Sequence, residues 1–504
     1  ISWFDPYNNR VDTIDLNTAD GAKVLRSVVY YPGEGNPPVV GDTAWNAARQ
    51  VPEKVIVGIK RSMGTAFKTA PMDGVEYTPQ EVSAEILKVL VKDAQTFLGE
   101  EVKDVVITVP AYFGDNERAA TEEAGKLAGL NVLRLLPEPH AAALAFSVEK
   151  VAEIIDRYLL VYDLGGGTYD VTLIHATTAT GVGNAINLKI DTLCKDGNAS
   201  LGGLDWDRAL AEIVAEKVMQ AHGVDVWQDA KNEAILLDNC EKAKRHLSRT
   251  SSVSIVADVA GHQAEVSVSE FEDRTRDLLL QTQMLLERVI KDAETQHGIG
   301  KEKIDVMLTG GSSKMPMVKK MIESVMGKPP LQHRNPELLV TIGAAYWAHL
   351  LQEDSSVSVH VLTPGGRVES KKVTVSPGGL TDTGYAVGVE VLRPDAQGQM
   401  TKFNAVIVPD GARYGEEFDK EFRASEDNMT EIPIMLYKGD SPNLDECEPL
   451  MMFTITDLPP DRPKGQPVKV TLGYDSSGII RGTAIDVNTD QKAEIVLDRN
   501  KTAA

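Results

Sequence analysis

A short stretch near residue 165 combines residue types that suit phosphate and cation chemistry. It reads VYDLGGGTYD, from Val161 to Asp170, and it follows an apolar run. Consecutive glycines leave backbone N–H groups open to close approach by phosphate oxygens, at a large cost in backbone entropy. Asp163 and Asp170 carry the hard oxygen atoms that hydrated Mg²⁺ prefers. The stretch therefore predicts a phosphate-binding loop, made by Gly165, Gly166, Gly167 and Thr168.

The spacing in this stretch excludes two familiar nucleotide motifs. No Gly-Lys-Ser/Thr follows the glycines, so the loop is not a Walker A sequence. The pattern is not GxGxxG either, and no helical pattern opens directly after it. The competing interpretation of the stretch by itself is a glycine-rich hairpin with two solvated acids.

Other segments could share a ligand with this loop. VMLTGGSSKMP, from Val306 to Pro316, is a second apolar run followed by a glycine pair. Loops after buried strands tend to meet at one edge of an α/β sheet, where ligands bind. In NCEKAKRHLS, four polar residues fall on one helical face: Glu241, Lys244, Arg245 and Ser248. That spacing alone favours a solvated face with Glu–Lys and Glu–Arg pairs.

Composition limits the class of protein. The chain has 504 residues and a net charge of −22, which argues against a nucleic-acid partner and against an anionic membrane surface. The three cysteines, Cys194, Cys240 and Cys447, are far apart and form no zinc pattern. No secretory signal or transmembrane run is present. We therefore expect a protein of the reducing cytoplasm.

Strand and helix patterns alternate through the first part of the chain, which predicts an α/β domain. Val102–Pro110 and Ile304–Thr309 read as buried strands. The sequence predicts one helix over Asn116–Gly129 and another that ends at Gly223. Ser269 and Glu272 have the spacing of a capping box at the start of a long helix.

The composition and the residue pattern of the sequence change near residue 354. Residues 355–383 are rich in Ser, Thr, Pro and Gly and predict a linker or a marginal strand pair. Short alternating strands separated by turn residues follow, which predicts an all-β module over 384–504. We thus expect an α/β domain over 1–354, a linker over 355–383 and a β domain over 384–504.

Together these segments resemble the DnaK-type heat-shock chaperones, members of the actin and sugar-kinase ATPase superfamily. VVITVPAYFGDNERAATEEAGKLAGLNVLRLLPEPHAAALAF, VYDLGGGTYDVTL, SLGGLDWDRAL, CEKAKRHLS and LTGGSSKMPMVKKMI match its nucleotide-binding segments in order. FRASEDN, IPIMLYKGD and FTITDLPPDRPKG follow its peptide-binding sandwich. The resemblance implies an actin-like two-lobed ATPase domain followed by an all-β sandwich domain.

The resemblance also implies roles for matching residues near the phosphates. Lys60 would orient the attacking water or the γ-phosphate, and Glu138 would lie near that water. Asp163 and Asp170 would organise Mg²⁺ and K⁺ through water, and Pro110 would relay the nucleotide state. A larger set would hold the phosphates, ribose and purine: Gly165, Gly166, Gly167, Thr168, Gly202, Gly203, Glu241, Lys244, Arg245, Ser248, Gly310, Gly311, Ser312, Lys314 and Glu337. The resemblance therefore favours a binding role for the polar face of NCEKAKRHLS over a solvated face.

In the β module, the resemblance implies that Phe422, Ile432 and Ile434 line a groove for extended apolar peptides, although ordinary sandwich core is the alternative. The implied function is ATP-dependent chaperoning of unfolded polypeptides in a stress response, with weak ATP hydrolysis. The implied partners are unfolded clients, a J-domain co-chaperone and a nucleotide-exchange factor, and we expect a monomer.

Several features depart from the family pattern. The sequence shows no first phosphate loop, and because it begins at Ile1, we expect truncation rather than loss. A true loss would impair hydrolysis, because phosphoryl transfer depends on positioning and electrostatics. The linker lacks the family's leucine-rich acidic segment, and no helical lid follows the sandwich, so bound peptide should leave quickly.

Two other functions remain open alongside the chaperone. One is a nucleotide-gated adaptor of the same fold that does not hydrolyse ATP, which the missing loop and altered linker favour. The other is a different enzyme of the superfamily, such as a sugar kinase, or an actin-like filament protein. The match in the C-terminal sandwich counts strongly against this second alternative.

Overall fold

A computed structural model of the chain describes residues 1–16, 23–33, 35–150, 156–180, 185–331, 333, 335–352, 355–362, 368–381, 385–394, 399–409, 412, 415–475 and 478–496. The chain divides into two compact units. The first contains Ile1–Tyr112 and Glu123–Leu380, and the second contains Phe113–Glu122 and Thr381–Ala504.

The described helices, numbered in chain order, are α1 Asp42–Ala47, α2 Pro79–Leu98, α3 Asp115–Leu127, α4 Glu138–Glu149, α5 Gly203–His222, α6 Ala230–Leu247, α7 Val268–Arg274, α8 Arg276–His297, α9 Pro316–Met326 and α10 Leu339–Leu350. Among these described helices, none is long and apolar enough to cross a membrane.

The described strands are β1 Ser2–Asp5, β2 Arg10–Thr13, β3 Val28–Tyr30, β4 Val39–Val40, β5 Val55–Val57, β6 Asp104–Val109, β7 Asn131–Pro137, β8 Asp156–Leu164, β9 Tyr169–Thr180, β10 Ile186–Asn198, β11 Ser252–Val256, β12 Gln263–Ser267, β13 Ile304–Thr309, β14 Val357–Leu362, β15 Val368–Thr381, β16 Val387–Pro394, β17 Met400–Val408, β18 Glu417–Arg423, β19 Ile432–Lys438, β20 Glu448–Ile455, β21 Pro467–Tyr474, β22 Ile480–Asp486 and β23 Lys492–Val496.

A six-stranded sheet in the order β13-β8-β9-β10-β15-β14 organises the first unit. β13 runs parallel to β8, and β9 runs antiparallel to both β8 and β10. Thr309, at the end of β13, pairs with Asp163 near the end of β8. Because parallel strands end at the same edge, the loops that follow β8 and β13 start side by side.

Strand β8 is apolar from Leu159 to Tyr162 because both faces of the sheet are covered there. Leu160 and Tyr162 pack with Trp206 of α5 on one face. Leu159 and Val161 pack on the other face with residues of α4 and α10. The sequence before the glycine loop is therefore apolar for reasons of packing, and the loop is the point where the strand leaves this core.

The second unit contains two four-stranded sheets, with strand orders β17-β16-β19-β20 and β18-β21-β22-β23. Side chains from both sheets form one apolar core, which includes Val389, Leu436, Val470 and Leu472. Alternation along the strands explains this packing, since successive side chains of a strand point to opposite faces.

Most of the individual elements follow the sequence predictions. β13 covers Ile304–Thr309, as predicted, and α5 ends with Gly223 in the left-handed conformation at φ 66°. The capping box was assigned to the wrong residues: Ser267 caps Glu270 at the start of α7, and a new helix starts at Arg276. The predicted strand over Val102–Pro110 is β6, which is only partly buried and pairs with β7 in a two-stranded sheet of the described residues.

Residues predicted to form a linker have defined structure in part. β14 and β15 pair as an antiparallel hairpin, with Val357 opposite Val373 and Leu362 opposite Val368. The hairpin extends the six-stranded sheet beyond β10. Residues 363–367, 382 and 383 of the predicted linker lie outside the described residues. The division into these three segments stays a prediction.

Candidate functional site

The glycine loop joins two antiparallel strands and closes on itself. Asp163 and Asp170 are paired residues of β8 and β9, so their side chains lie on the same face of the sheet. The backbone N–H of Gly165 donates to the carbonyl of Thr168 at 3.0 Å. The loop is thus a hairpin, as the competing interpretation predicted, but its two acids are buried and not solvated.

Gly202 and Gly203, which form a second glycine turn, hold the start of α5 against this loop. Gly203 N–H donates to the Gly165 carbonyl at 2.9 Å, and Leu204 N–H donates to the Gly166 carbonyl at 2.8 Å. A Cβ atom on Gly202 would lie 2.5 Å from the carbonyl carbon of Gly167. Glycine is therefore required here by the close approach of two backbones.

The third glycine turn reaches the same place from β13. Gly310 has φ 79°, and a Cβ atom there would lie 2.5 Å from Oδ1 of Asp163. Ser312 is buried, and its Oγ would clash with a Cβ atom built on Gly203. Ser313 Oγ donates to the Gly310 carbonyl at 2.7 Å, which fixes the turn. Three glycine turns that are distant in sequence thus converge on one place.

The carboxylates at this place carry a high electrostatic cost. Burial, and then the charge of Glu138, raise the pKa of Asp163 to about 7, against the opposing effects of Lys60 and Thr309. Burial raises the pKa of Asp170 to about 7 as well, despite a hydrogen bond from Ala111 N–H at 2.6 Å. A bound cation would stabilise the charged form of both groups.

Lys60 and Glu138 meet beside these acids. Lys60 lies in a 3₁₀ turn, Ile59–Ser62, which follows Gly58 in the left-handed conformation. Glu138 is the first residue of α4 and follows β7. Lys60 Nζ lies 2.8 Å from Glu138 Oε1. The two residues and Asp163 interact electrostatically, so the structure brings the predicted water-orienting pair to the predicted cation ligands.

Helix α6 supplies a buried cation to the loops. Lys244 Nζ donates to the Gly203 carbonyl at 2.8 Å and lies 2.9 Å from Asp207 Oδ1. Burial raises the pKa of Asp207 to about 6, although Lys244 opposes this effect. The buried position of Lys244 contradicts a purely solvated helical face.

The remaining members of that face behave differently. Glu241 accepts from Arg245 and from Arg26, and Arg245 is 72% exposed. Ser248 Oγ donates to the Lys244 carbonyl at 3.4 Å and ends the helix. The favourable Glu–Arg pair expected from spacing alone therefore exists alongside the buried lysine.

Four other predicted residues complete the survey of this unit. Lys314 Nζ lies 2.7 Å from Glu337 Oε2 and so joins the third glycine turn to the segment before α10. Pro110 is buried directly after β6 and next to Ala111, whose N–H contacts Asp170. Gly311 has open space around it, with no atom within 4 Å of a built Cβ among the described residues.

Arg61 is a site residue that sequence reasoning missed. Its Nε donates to the Gly167 carbonyl at 2.8 Å, and its Nη2 lies 2.6 Å from Asp205 Oδ2. Asp205 in turn accepts from Gly202 N–H at 2.7 Å. Arg61 thus holds the glycine loop and the start of α5 together. Its place beside Lys60 was the available signal, but nothing in the local sequence indicated Asp205.

Asp238 is a second missed residue, and it ties α1 to α6. Trp45 Nε1 donates to its Oδ1 at 2.6 Å, Lys242 donates to its Oδ2 at 2.8 Å, and Arg49 pairs with it as well. Burial alone would raise the pKa of Asp238, but these hydrogen bonds hold it below its usual value. Asp238 therefore links α1 to the helix that carries Glu241, Lys244 and Arg245.

In the second unit, the three predicted peptide-groove residues all contact the sandwich core. Ile432 and Ile434 are buried on β19, and Phe422 is partly buried on β18 of the other sheet. All three pack with the same apolar cluster. The alternative of ordinary core packing therefore applies at least in part, and Phe422 is the most accessible of the three.

The donor set fits a hydrated hard cation beside phosphate. Two buried carboxylates with raised pKa values face the glycine turns, and a Cβ on Gly166 would meet no described atom within 4 Å. The described residues contain no group of three or more His, Cys, Asp or Glu that could hold a metal alone. Water and phosphate oxygens would have to complete the coordination, as is usual for Mg²⁺.

Comparisons with known proteins decide the family. The family model for Hsp70 protein matches residues 69–504. The chaperone protein DnaK of Thermotoga neapolitana is 35% identical over 508 aligned residues, covering 99% of this chain and 78% of the relative. This chain belongs to the Hsp70 family. The chaperone protein DnaK of Thermosipho africanus is 34% identical, covering 99% of this chain and 77% of the relative.

Membership of the Hsp70 family confirms the DnaK-type resemblance and the fold class, actin-like ATPase lobes plus a β sandwich. Hsp70 proteins are chaperones and ATPases that bind nucleotide with Mg²⁺. Their partners, as a class, are unfolded proteins and co-chaperones. The roles of individual residues in this Hsp70 remain predictions.

Proposed function

We propose that this Hsp70 protein couples ATP binding and hydrolysis to the binding and release of extended apolar segments of unfolded polypeptides. The observation that carries the proposal is the convergence of three glycine turns on the buried pair Asp163 and Asp170. A protein that bound peptides without nucleotide would not need two buried carboxylates beside a glycine loop.

We assign nucleotide binding to the two sides of this place. Gly165, Gly166, Gly167 and Thr168 would contact the phosphates through backbone N–H groups and a hydroxyl. Lys244, held by Asp207 and the Gly203 carbonyl, would present a fixed positive charge on the ribose side. The other residues assigned to the nucleotide are Gly202, Gly203, Glu241, Arg245, Ser248, Gly310, Gly311, Ser312, Lys314 and Glu337.

We assign the hydrolytic step to Lys60 and Glu138. Glu138, paired with Lys60 at 2.8 Å, would hold the attacking water through its carboxylate. Lys60 would keep that carboxylate oriented and favour negative charge on the γ-phosphate. A Mg²⁺ ion, when bound, neutralises charge on the phosphate oxygens. Asp163 and Asp170 would hold it through water, and the same acids would contact K⁺.

The second unit would bind the client. Ile432 and Ile434 support the groove from within the core, and Phe422 offers partly accessible apolar surface. Main-chain hydrogen bonds with apolar pockets suit an extended peptide. Pro110 would relay the nucleotide state, since the next residue bonds Asp170. A J-domain protein and a nucleotide-exchange factor as partners, a monomeric state and a reducing cytoplasm remain part of the proposal.

A nucleotide-gated adaptor without hydrolysis is the second candidate. The observation in its favour is the β14–β15 hairpin, because residues predicted to link the domains belong to a sheet of the first unit. Such a hairpin could fix a segment that a chaperone cycle requires to move. The adaptor would bind nucleotide through the same loops but show no turnover.

Single-turnover hydrolysis of ATP by the full chain, with and without an unfolded apolar peptide, separates the two candidates. The chaperone predicts turnover that the peptide accelerates and that Asp170→Asn abolishes. The adaptor predicts tight nucleotide binding, no turnover and no response to peptide. Lys68→Ala is a suitable control, because Lys68 pairs only loosely, at 3.7 Å, with exposed Glu76.

A further inference from the structure

Two histidines lie together at the end of α5 farthest from the glycine turns. His222 is the last residue of α5, and His262 directly precedes β12, the return strand of the β11–β12 hairpin. Their ring centroids are 4.7 Å apart, with an angle of 39° between the ring planes. α5 has 20 residues, so this pair lies about 30 Å from the nucleotide-site end of the helix.

The tautomer of His262 is fixed by a buried acid. Nδ1 of His262 lies 2.7 Å from Oδ2 of Asp258, whose side chain is 3% exposed. Burial would raise the pKa of Asp258, but hydrogen bonds from the His262 ring and backbone hold it below its usual value. The carboxylate therefore accepts from Nδ1–H, and the lone pair of Nε2 points away from Asp258.

His222 leaves its ring nitrogens available. It is exposed, and its side chain makes no hydrogen bond within the part of the chain that the structure describes. The two imidazole rings are close enough for one ion to contact both, and two positive charges at this separation would repel each other. A shared cation with affinity for imidazole nitrogen would convert this pair into a favourable contact.

We propose that His222 and His262 form a binding site for a late divalent transition-metal ion such as Zn²⁺, with Asp258 as the positioning residue. Neutral imidazole is a preferred ligand of these ions, and a carboxylate on the far ring nitrogen orients the imidazole and raises its basicity. Water molecules complete the coordination, since the described part of the chain supplies two imidazole ligands here. The ion would fasten the hairpin to the helix.

The site differs in chemistry from the nucleotide site. Asp163 and Asp170 offer hard oxygen atoms, which suit Mg²⁺, whereas His222 and His262 offer nitrogen. The three cysteines are buried and unpaired, so in the folded protein their thiols do not compete for the ion. In a Zn²⁺ titration, excess Mg²⁺ competes for the hard oxygen sites, and the histidine variants assign the remaining binding to this pair.

Isothermal titration of the full chain with Zn²⁺, in excess Mg²⁺ and without nucleotide, tests the proposal. We expect one site in the native protein and its loss in both His222→Ala and His262→Ala. His297→Ala is the matched control, since His297 also ends a helix, α8, before a left-handed glycine, Gly298, and is exposed. This control should bind Zn²⁺ as the native chain does.

Two further measurements keep the test decisive. Asp258→Asn should weaken Zn²⁺ binding by about 10-fold, and Zn²⁺ should raise the melting temperature of the native chain but not of His222→Ala. Because His222 is exposed, its alanine variant should melt normally without metal. Unchanged binding in His222→Ala, an equal loss in His297→Ala, or no binding by the native chain would overturn the assignment.

Discussion

The ammonium group of Lys60 lies 2.8 Å from Oε1 of Glu138, although 78 residues separate the two in the chain. Both also influence the ionisation of Asp163, which Glu138 opposes and Lys60 favours. Glu138 is well buried and Lys60 is partly exposed. The pair therefore sets the charge balance next to the buried acids, and a change to either residue should affect chemistry more than folding.

Replacing Lys60 with alanine should slow single-turnover ATP hydrolysis by about 100-fold or more, the range expected for loss of a positioned proton-transfer or charge-stabilising group. ADP affinity should change little, because the glycine turns and Lys244 remain. The measurements are single-turnover kinetics and ADP titration on the same preparation. Lys68→Ala should match the native rate, and an equally fast Lys60→Ala would remove Lys60 from the proposed mechanism.

The stability of the nucleotide-free protein should depend on pH through Asp163 and Asp170. Their pKa values rise from 3.8 in the unfolded chain to about 7 in the folded one. Between these values the folded state holds more protons than the unfolded state, so stability falls as pH rises from about 4 to about 7. Melting temperatures across this range, without nucleotide or divalent cation, measure the effect.

Asp163→Asn isolates this contribution. At pH 8 the variant should be more stable than the native protein by about 1–3 kcal/mol, because it no longer ionises a buried group. Its advantage should shrink towards pH 4. Mg²⁺ and ADP should reverse the order, stabilising the native protein more. If the variant is less stable at every pH, Asp163 is not under the electrostatic cost that its burial implies.

Much of this site could be anticipated because the chemistry was local in sequence. The acids, the glycines and the apolar strand before them lie within Val161–Asp170, and β13 was recognisable from its own residues. Arg61 and Asp205 escaped because their importance lies in contacts across 144 residues. The capping box was misplaced by two residues because Ser267 and Ser269 both have Glu three residues on.

Alanine substitutions at the two neighbouring glycines of the third turn should weaken nucleotide binding to different degrees. Gly310 has φ 79°, and a Cβ there would lie 2.5 Å from Asp163 Oδ1, whereas Gly311 has open space. Gly310→Ala should therefore displace the acid and weaken Mg²⁺-dependent nucleotide binding by about 10-fold or more, since left-handed backbone is also strained for alanine. Gly311→Ala should weaken nucleotide binding less, because its Cβ would meet no described protein atom and would leave Asp163 in place. Titration with ADP, with and without Mg²⁺, compares them, and equal affinities would contradict the steric argument.

Asp238 should control how fast nucleotide leaves. Removing its carboxylate in Asp238→Ala leaves Trp45 Nε1 without its acceptor and loosens the α1–α6 contact, which Arg26 still bridges through Asp42 and Glu241. We expect a fluorescent ADP analogue to dissociate up to about 10-fold faster, which corresponds to about 1.4 kcal/mol. Glu233→Ala is the control on the same helix, since Glu233 pairs with Arg208 of α5 instead. Equal dissociation rates in the two variants would mean that the α1–α6 contact does not retain nucleotide.

Phe422 and Ile434 should separate peptide binding from core packing in the second unit. Ile434 is buried in the core, so Ile434→Ala should lower the free energy of unfolding by about 2–5 kcal/mol and affect peptide binding only through that loss. Phe422 is partly buried on the opposite sheet, so Phe422→Ala should cost less stability and more peptide affinity.

The measurements for this pair are the anisotropy of a labelled apolar peptide, well below the melting temperature, and thermal melting of each variant. Val470→Ala, in the core of the same sheet as Phe422, controls for destabilisation without a change in the proposed groove. A groove role for Phe422 requires its variant to bind peptide more weakly than Val470→Ala at equal or higher stability. If affinity instead follows melting temperature in all three variants, Phe422 belongs to the core alone, and the peptide must bind elsewhere on the sandwich.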